Sequence, residues 1–87
     1  MHLDIITPDK TVYSGEVTSV QLPGVEGKFQ ILKNHAPLIA TLAQGKVKVV
    51  DVAKETTFFE LTGGVVEVLN NKVTVLAEKA WMITDKN

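Results

Sequence analysis

The sequence predicts an all-β domain, an antiparallel sandwich or barrel built from short strands. Apolar residues alternate with polar ones at a period of two, as at Leu3 and Ile5 or Val47 and Val49, which is the pattern of strands with one buried face. Gly, Pro and Asn separate these runs at intervals of roughly 8–12 residues, the spacing typical of antiparallel sandwiches and barrels. No helix of useful length is predicted.

The strand positions follow from alternating apolar pairs, each flanking a polar residue that would face solvent. Asn70-Asn71 suits a two-residue hairpin, because Asn tolerates positive φ, whereas the segment 38–42 fits either one helical turn or a strand. The predicted pairs are Leu3/Ile5, Val20/Leu22, Phe29/Ile31, Val47/Val49, Phe59/Leu61, Val66/Val68 and Val73/Val75.

Two places break the alternation. Val49-Val50 shifts its parity, which predicts a bulge or a strand buried on both faces. Phe58-Phe59 puts a large side chain on each face, so that one of them points away from the core. Trp81, near the C-terminus, is predicted to close one end of the core.

Composition limits the classes of function. The 87 residues make one domain, 1–87, with a net charge of −1, nine Lys and no Arg. This balance argues against a binding surface for nucleic acid or anionic membrane. The absence of Cys excludes disulfides and thiol chemistry. No apolar run approaches the length of about 18 residues that a membrane span needs, and the N-terminus does not resemble a signal peptide.

The sequence offers little catalytic chemistry and no cofactor motif. His2 and His35 lie far apart without a spaced partner, so no metal site is predicted. His35 is interpreted as a loop residue that bonds the backbone, and Ser14 and Ser19 have no neighbouring His in the sequence. The densest turn chemistry lies in segment 20–38, where the acidic turn 24–27 would repel phosphate. These features favour a small β interaction module over an enzyme.

The chain resembles a known family over Leu3 to about Ala80. The motifs are L-x-I-x-T-P, V-Y-S-G-E-V, L-P-G-x-E-G-x-F, N-H-A-P-L, G-x-V-x-V, L-T-G-G-x-V-E-V and V-T-V-L-A, in this order. Together they resemble the epsilon subunit of F-type ATP synthase. The resemblance implies a flattened sandwich of about ten short strands.

The resemblance also implies a non-catalytic rotor subunit of the central stalk. Such a subunit binds the gamma subunit and the polar loops of the c-ring, and couples proton translocation to ATP synthesis. Its expected location is the cytoplasmic face of the bacterial inner membrane, peripheral and held there only through the complex. It would carry no cofactor of its own.

The family pattern assigns two sets of contact residues. The implied c-ring contacts are Glu26, Gly27, Lys28 and Phe29, and the implied gamma contacts are His35, Ala36, Leu38, Ala40 and Thr62. This sequence departs from the family at Lys28, where an acidic residue is frequent. The partner ring would then need a matching acidic residue.

The helical hairpin of roughly fifty residues that ends most family members is expected to be absent, because the chain stops at Asn87. ATP binding and inhibition by that hairpin are therefore not implied. The start at Met1 and the polar tail 84–87 favour a natural short form over an engineered N-terminal domain.

Two other hypotheses compete with the stalk subunit. One is a stand-alone sandwich that binds a ligand or another protein, with a pocket lined by Phe58, Phe59 or Trp81. The other is a small hydrolase that uses His35. Composition permits the stand-alone sandwich as well as the stalk subunit, and only the resemblance separates these two. The hydrolase is disfavoured by the residues themselves, because His35 has no catalytic partner in the sequence.

Overall fold

All regular structure in the computed structural model, which describes residues 1–84, consists of β-strands. The all-β prediction is therefore confirmed, and segment 38–42 is a strand. Along the chain the strands are β1 (His2–Ile6), β2 (Thr11–Gly24), β3 (Gly27–Leu32), β4 (Leu38–Leu42), β5 (Gly45–Asp51), β6 (Thr56–Leu61), β7 (Gly64–Leu69), β8 (Lys72–Ala77) and β9 (Ala80–Ile83).

Strand β2, with 14 residues, lies in both layers of the sandwich. Its first half, residues 11–16, pairs with β1, and its second half, residues 17–24, pairs with β3 and β5. One layer therefore has the order β2-β1-β8-β7-β4 and the other β3-β2-β5-β6-β9. Because β2 counts in each layer, these nine strands occupy the ten strand positions that the resemblance implies.

A β-bulge lies near the start of the second half of β2. Val17 lies opposite Asp51 while Ser19 lies opposite Val50, so Thr18 is the extra residue. Its hydroxyl donates to the carbonyl oxygen of Val50 at 3.2 Å. The parity break in the sequence of β5 thus lies beside a bulge, but the extra residue belongs to β2.

One strand pair is parallel, so the sheet is mixed, whereas the sequence predicted a wholly antiparallel one. β1 pairs in parallel with β8, from His2 opposite Lys72 to Ile6 opposite Leu76. No tight turn has to join these two strands, because most of the chain lies between them. The principal extents of 29, 28 and 26 Å show that any flattening is slight.

The core lies between the inner faces of the two layers. Every residue of the predicted alternating pairs is buried except Phe29, which is half-buried and packs against the core. Tyr13 of the first layer meets Phe59 of the second edge to face, with the ring centroids 5.5 Å apart. The fully buried side chains are Leu3, Ile5, Val66, Val68, Val73 and Val75 in the first layer and Val17, Val20, Leu22, Ile31, Val47, Val49, Phe59 and Leu61 in the second.

The aromatic residues outside the core lie on the outer face of the second layer. Phe58 points outward, as predicted for one member of its pair, and the Lys46 ammonium lies 5.2 Å from its ring centroid. Trp81 is exposed on the edge strand β9, opposite Glu60. The prediction that Trp81 closes the core is wrong, because Ala80 occupies the inward position beside it.

The hairpin predicted at Asn70-Asn71 joins β7 to β8, and both residues have positive φ, 51° and 62°. No helix within residues 1–84 is long and apolar enough to cross a membrane. The polar tail noted in the sequence extends past Thr84, and its last part, 85–87, lies outside the described residues.

We expect Gly64→Ala to lower the free energy of unfolding by at least about 3 kcal/mol. Gly64 has φ of 153°, and a Cβ there would collide with the carbonyl oxygen of Leu76. Gly27→Ala is the matched control, since its φ is 125° but a Cβ would meet nothing within 4 Å. It should cost only about 1–2 kcal/mol, the strain of positive φ alone. Urea unfolding measures both, and equal losses would contradict the collision.

Candidate functional site

The turn between β2 and β3 carries the four residues assigned to the c-ring. Gly24 pairs with Gly27, so Val25 and Glu26 form the tip of a two-residue hairpin. Glu26, Gly27 and Lys28 are exposed, whereas Phe29 packs its ring against the core. The tip therefore presents one carboxylate and one ammonium to solvent on a backbone that Phe29 anchors.

This hairpin is fixed against the end of β4. The amide of Val25 donates to the carbonyl oxygen of Thr41 at 3.1 Å, and the amide of Ala43 donates to that of Pro23 at 2.7 Å. The free edges of β3 and β4 then face each other across a groove of about 490 Å³. Its lining is Gly24, Val25, Glu26, Gly27, Lys28, Phe29, Ile39, Ala40 and Thr41.

The five residues assigned to the gamma subunit do not form one cluster. His35 and Ala36 lie in the loop before β4, while Thr62 lies in the loop before β7, next to the far end of β4. Five residues of strand separate these ends by roughly 13 Å. Ala40 lines the same groove as the c-ring residues, so the two assigned sets meet there.

The loop that contains His35 is tied down by local hydrogen bonds. The imidazole Nδ1 donates to the carbonyl oxygen of Ala36 at 2.7 Å, and the His35 amide donates to Leu32 at 3.1 Å. The amide of Asn34 donates to Oδ1 of Asn71 at 2.8 Å. His35 is thus a loop residue that bonds the backbone, as predicted.

The exposed face of β4 belongs to a residue that the sequence analysis did not assign. Leu38 and Ala40 are half-buried and pack against the core, whereas Ile39 between them is 73% exposed. The alternation of the strand would have identified Ile39 once 38–42 was taken as a strand.

Exposed apolar residues cross the outer face of the first layer, and Ile39 lies beside them on β4, diagonally from Val65, because Val65 is opposite Thr41 and Ile39 is opposite Glu67. Ile6 of β1 lies opposite Leu76 of β8, and Leu76 opposite Val65 of β7. Leu76 is 51% and Val65 40% exposed. We call Ile6, Leu76, Val65, Ile39 and the exposed Val25 the apolar row. It spans four strands and the hairpin tip, roughly 14 Å across the strands alone.

Polar residues border the apolar row on the same face. Asp4, Thr74 and Glu67 lie opposite one another on β1, β8 and β7, two residues along each strand from Ile6, Leu76 and Val65, and Ile39 lies opposite Glu67 at the β4 end of this polar line. An apolar stripe with a polar rim is the arrangement of a protein-binding surface. Phe59, by contrast, is fully buried in the core.

A cluster around His2 was also missed. Nδ1 of His2 lies 2.9 Å from Oε2 of Glu16, and Nε2 lies 3.1 Å from Oδ1 of Asp4 and 3.3 Å from the Ser14 hydroxyl. We call these four residues the His2 cluster. Ser14 has no His beside it in the sequence, but the fold brings His2 to its hydroxyl and places the carboxylates of Asp4 and Glu16 on the same imidazole. Pairing of β1 with β2 brings together two polar pairs spaced by two residues, which is the signal in the sequence.

The pKa values in the His2 cluster are shifted in the directions expected for ion pairs. The hydrogen bond to Glu16, followed by Asp4, raises the pKa of His2. The bond from Ser14, followed by His2, lowers the pKa of Asp4, and the bond to His2 lowers that of Glu16. Within residues 1–84 no group of three or more His, Asp or Glu side chains could hold a metal ion.

Comparison with known proteins gives matches to chains of ATP synthase. The model of the family "ATP synthase, Delta/Epsilon chain, beta-sandwich domain" matches residues 1–83. The ATP synthase epsilon chain of Chlorobium limicola is 51% identical over 76 residues, 87% of this chain and 86% of that one. The epsilon chain of Maricaulis maris is 39% identical over 85 residues, 98% of this chain and 63% of the relative.

A solved structure has the same fold. A chain in the cryo-EM structure of the mitochondrial ATP synthase of Euglena gracilis aligns with a TM-score of 0.84, covering 92% of this chain and 51% of that chain. At 19% identity this likeness shows the fold alone. The family model matches nearly the whole chain, and a relative of similar length is 51% identical to it. These two findings show that the chain belongs to the delta/epsilon-chain family of ATP synthase.

Proposed function

We propose that this protein is a non-catalytic subunit of the central stalk of a rotary ATP synthase. It binds the gamma subunit and the c-ring and helps to couple proton translocation to ATP synthesis. Family membership supports assembly into an ATP synthase complex, and the apolar row supports binding to another protein. The proposed location is the cytoplasmic face of the bacterial inner membrane, peripheral and through the complex only.

The apolar row is the observation that carries the contact with the gamma subunit. Exposed Leu76, Val65 and Ile39 gain free energy only when a partner covers them. The apolar row reaches the groove that Ala40 lines, and Thr62 lies beyond the same end of β4. His35 and Ala36 extend the proposed contact along the other end of β4.

The hairpin tip carries the proposed contact with the c-ring. Glu26 and Lys28 are exposed on a turn that the backbone bonds to Thr41 and Pro23 hold in place. A rigid tip transmits force without bending, and its two charges can pair with polar loops of the ring. Lys28 then requires an acidic group on the partner.

Val65→Glu should weaken binding of the gamma subunit by more than roughly 100-fold, because an unpaired carboxylate would be desolvated within the apolar row. Titration calorimetry with the cognate gamma subunit measures the affinity. Val65 is exposed enough for the variant to fold, which its thermal unfolding curve checks.

Val52→Glu is the matched control for this experiment. Val52 is 64% exposed in the turn between β5 and β6, away from the apolar row. The Val52→Glu variant should bind the gamma subunit with an affinity within about twofold of that of the wild type. Equal affinities of Val65→Glu and wild type would exclude the apolar row as the contact, and absence of binding by the wild type would exclude the function itself.

Lys28→Glu should weaken attachment of the gamma complex to the purified c-ring by roughly two- to fivefold, the size expected for an exposed ion pair. The effect should shrink as salt is raised. Lys48→Glu is the control, since Lys48 is an exposed Lys on the outer face of β5. If both variants lose the same affinity, the effect is one of net charge, and the tip makes no specific contact.

A further inference from the structure

The His2 cluster joins β1 to the first half of β2, which is an edge of the first layer. In residues 11–16, β2 has β1 as its ladder partner, so the outer-face contacts from His2 supplement a single ladder of backbone bonds. The neighbouring amide of Val17 donates to the carbonyl oxygen of Met1 at 2.8 Å. The cluster therefore lies where β2 begins to leave the first layer for the second.

Only a protonated imidazole can bond both carboxylates that His2 faces; in the neutral form Nε2 could accept from the Ser14 hydroxyl, 3.3 Å away, but the bond to Asp4 would then be lost. Nδ1 faces the Glu16 carboxylate and Nε2 faces that of Asp4, at 2.9 and 3.1 Å. Carboxylates accept and do not donate, so both nitrogens must carry a proton for both bonds to form. A neutral imidazole would turn a lone pair toward one of the two carboxylates.

Other charges face the cluster from each neighbouring strand. Lys72 of β8 lies 4.0 Å from Oδ2 of Asp4, and the Met1 amine lies 3.5 Å from Oε1 of Glu16. These cations offset part of the negative charge when His2 is neutral. Neither can replace His2 between the two carboxylates, because each is near only one of them.

We propose that protonated His2 fastens the edge half of β2 to β1 through Glu16 and Asp4, and that this attachment loosens when the imidazole loses its proton as the pH rises. The proposal concerns the isolated protein and does not depend on any partner. Its consequence is an edge of the sandwich that becomes less stable when His2 loses its proton.

The direction in which stability changes with pH follows from the directions in which the pKa values of His2, Asp4 and Glu16 are shifted. The pKa of His2 is raised above 6.5, so its contribution is fully present below 6.5 and is lost as the pH rises through the folded-state value. The pKa values of Asp4 and Glu16 are lowered from 3.8 and 4.5, so their contributions are lost only as the pH falls through values below these. The cluster is therefore most stabilising between pH 4.5 and 6.5.

The experiment compares the thermal unfolding of wild type, His2→Gln and His35→Gln from pH 5 to pH 9. Wild type and His35→Gln should both lose Tm as the pH rises above 6.5, by more than His2→Gln does. His35 is the matched control because its Nδ1 donates to the carbonyl oxygen of Ala36 and not to a carboxylate. Parallel pH profiles of His2→Gln and wild type would overturn the proposal.

A titration by NMR tests the same proposal even if His2→Gln fails to fold. The midpoint of the His2 Cε1 proton should lie above 6.5 in wild type and shift downward in Glu16→Gln, which removes the strongest partner. Lys48→Gln, a charge change on the outer face of the second layer, should leave the midpoint unchanged. A wild-type midpoint at or below 6.5, or no shift in Glu16→Gln, would contradict the attachment.

Discussion

The constraint on which the rest of the structure depends is that β2 belongs to both layers. The bulge at Thr18 lets one strand of 14 residues pair with β1 before it and with β5 after it. It also changes the parity, so that Val17 and Val20 both face the core. Since β2 ends at Gly24 beside β4, its course decides where the free edges of β3 and β4 meet. The groove is thus a consequence of the shared strand.

Alternation predicted most of this fold because both inner faces of a sandwich must be apolar, which leaves a period of two wherever a strand covers the core. The prediction was wrong, or left open, where a strand carries apolar residues on its outer face as well. Leu38-Ile39-Ala40 is apolar on both faces because the outer one belongs to the apolar row, so the period disappeared and a helical turn stayed possible. Trp81 was misplaced because an edge strand can carry a large side chain on its solvent face.

The candidate site was predictable only in part. The residues at the β2–β3 turn came from a resemblance, and the structure brings them together with Ala40 in one groove. The apolar row could not be found from single segments, because its members come from four strands and a turn. The His2 cluster depends on a pairing between residues 14 apart, His2 and Glu16. Such long-range pairings are fixed by the topology and not by local sequence.

The apolar row and the His2 cluster share the outer face of one layer but lie at opposite ends of the same parallel ladder. Ile6 pairs with Leu76 at one end, and His2 pairs with Lys72 at the other, roughly 13 Å away. Asp4, which belongs to the His2 cluster, and its neighbour Thr74 lie between His2 and the apolar row. A proton lost at His2 therefore changes charge outside the apolar row, on the strand edge next to the bulge. The imidazole that responds to pH and the surface proposed for a partner thus lie at different ends of β1, and Asp4 connects them because it bonds His2 and borders Ile6.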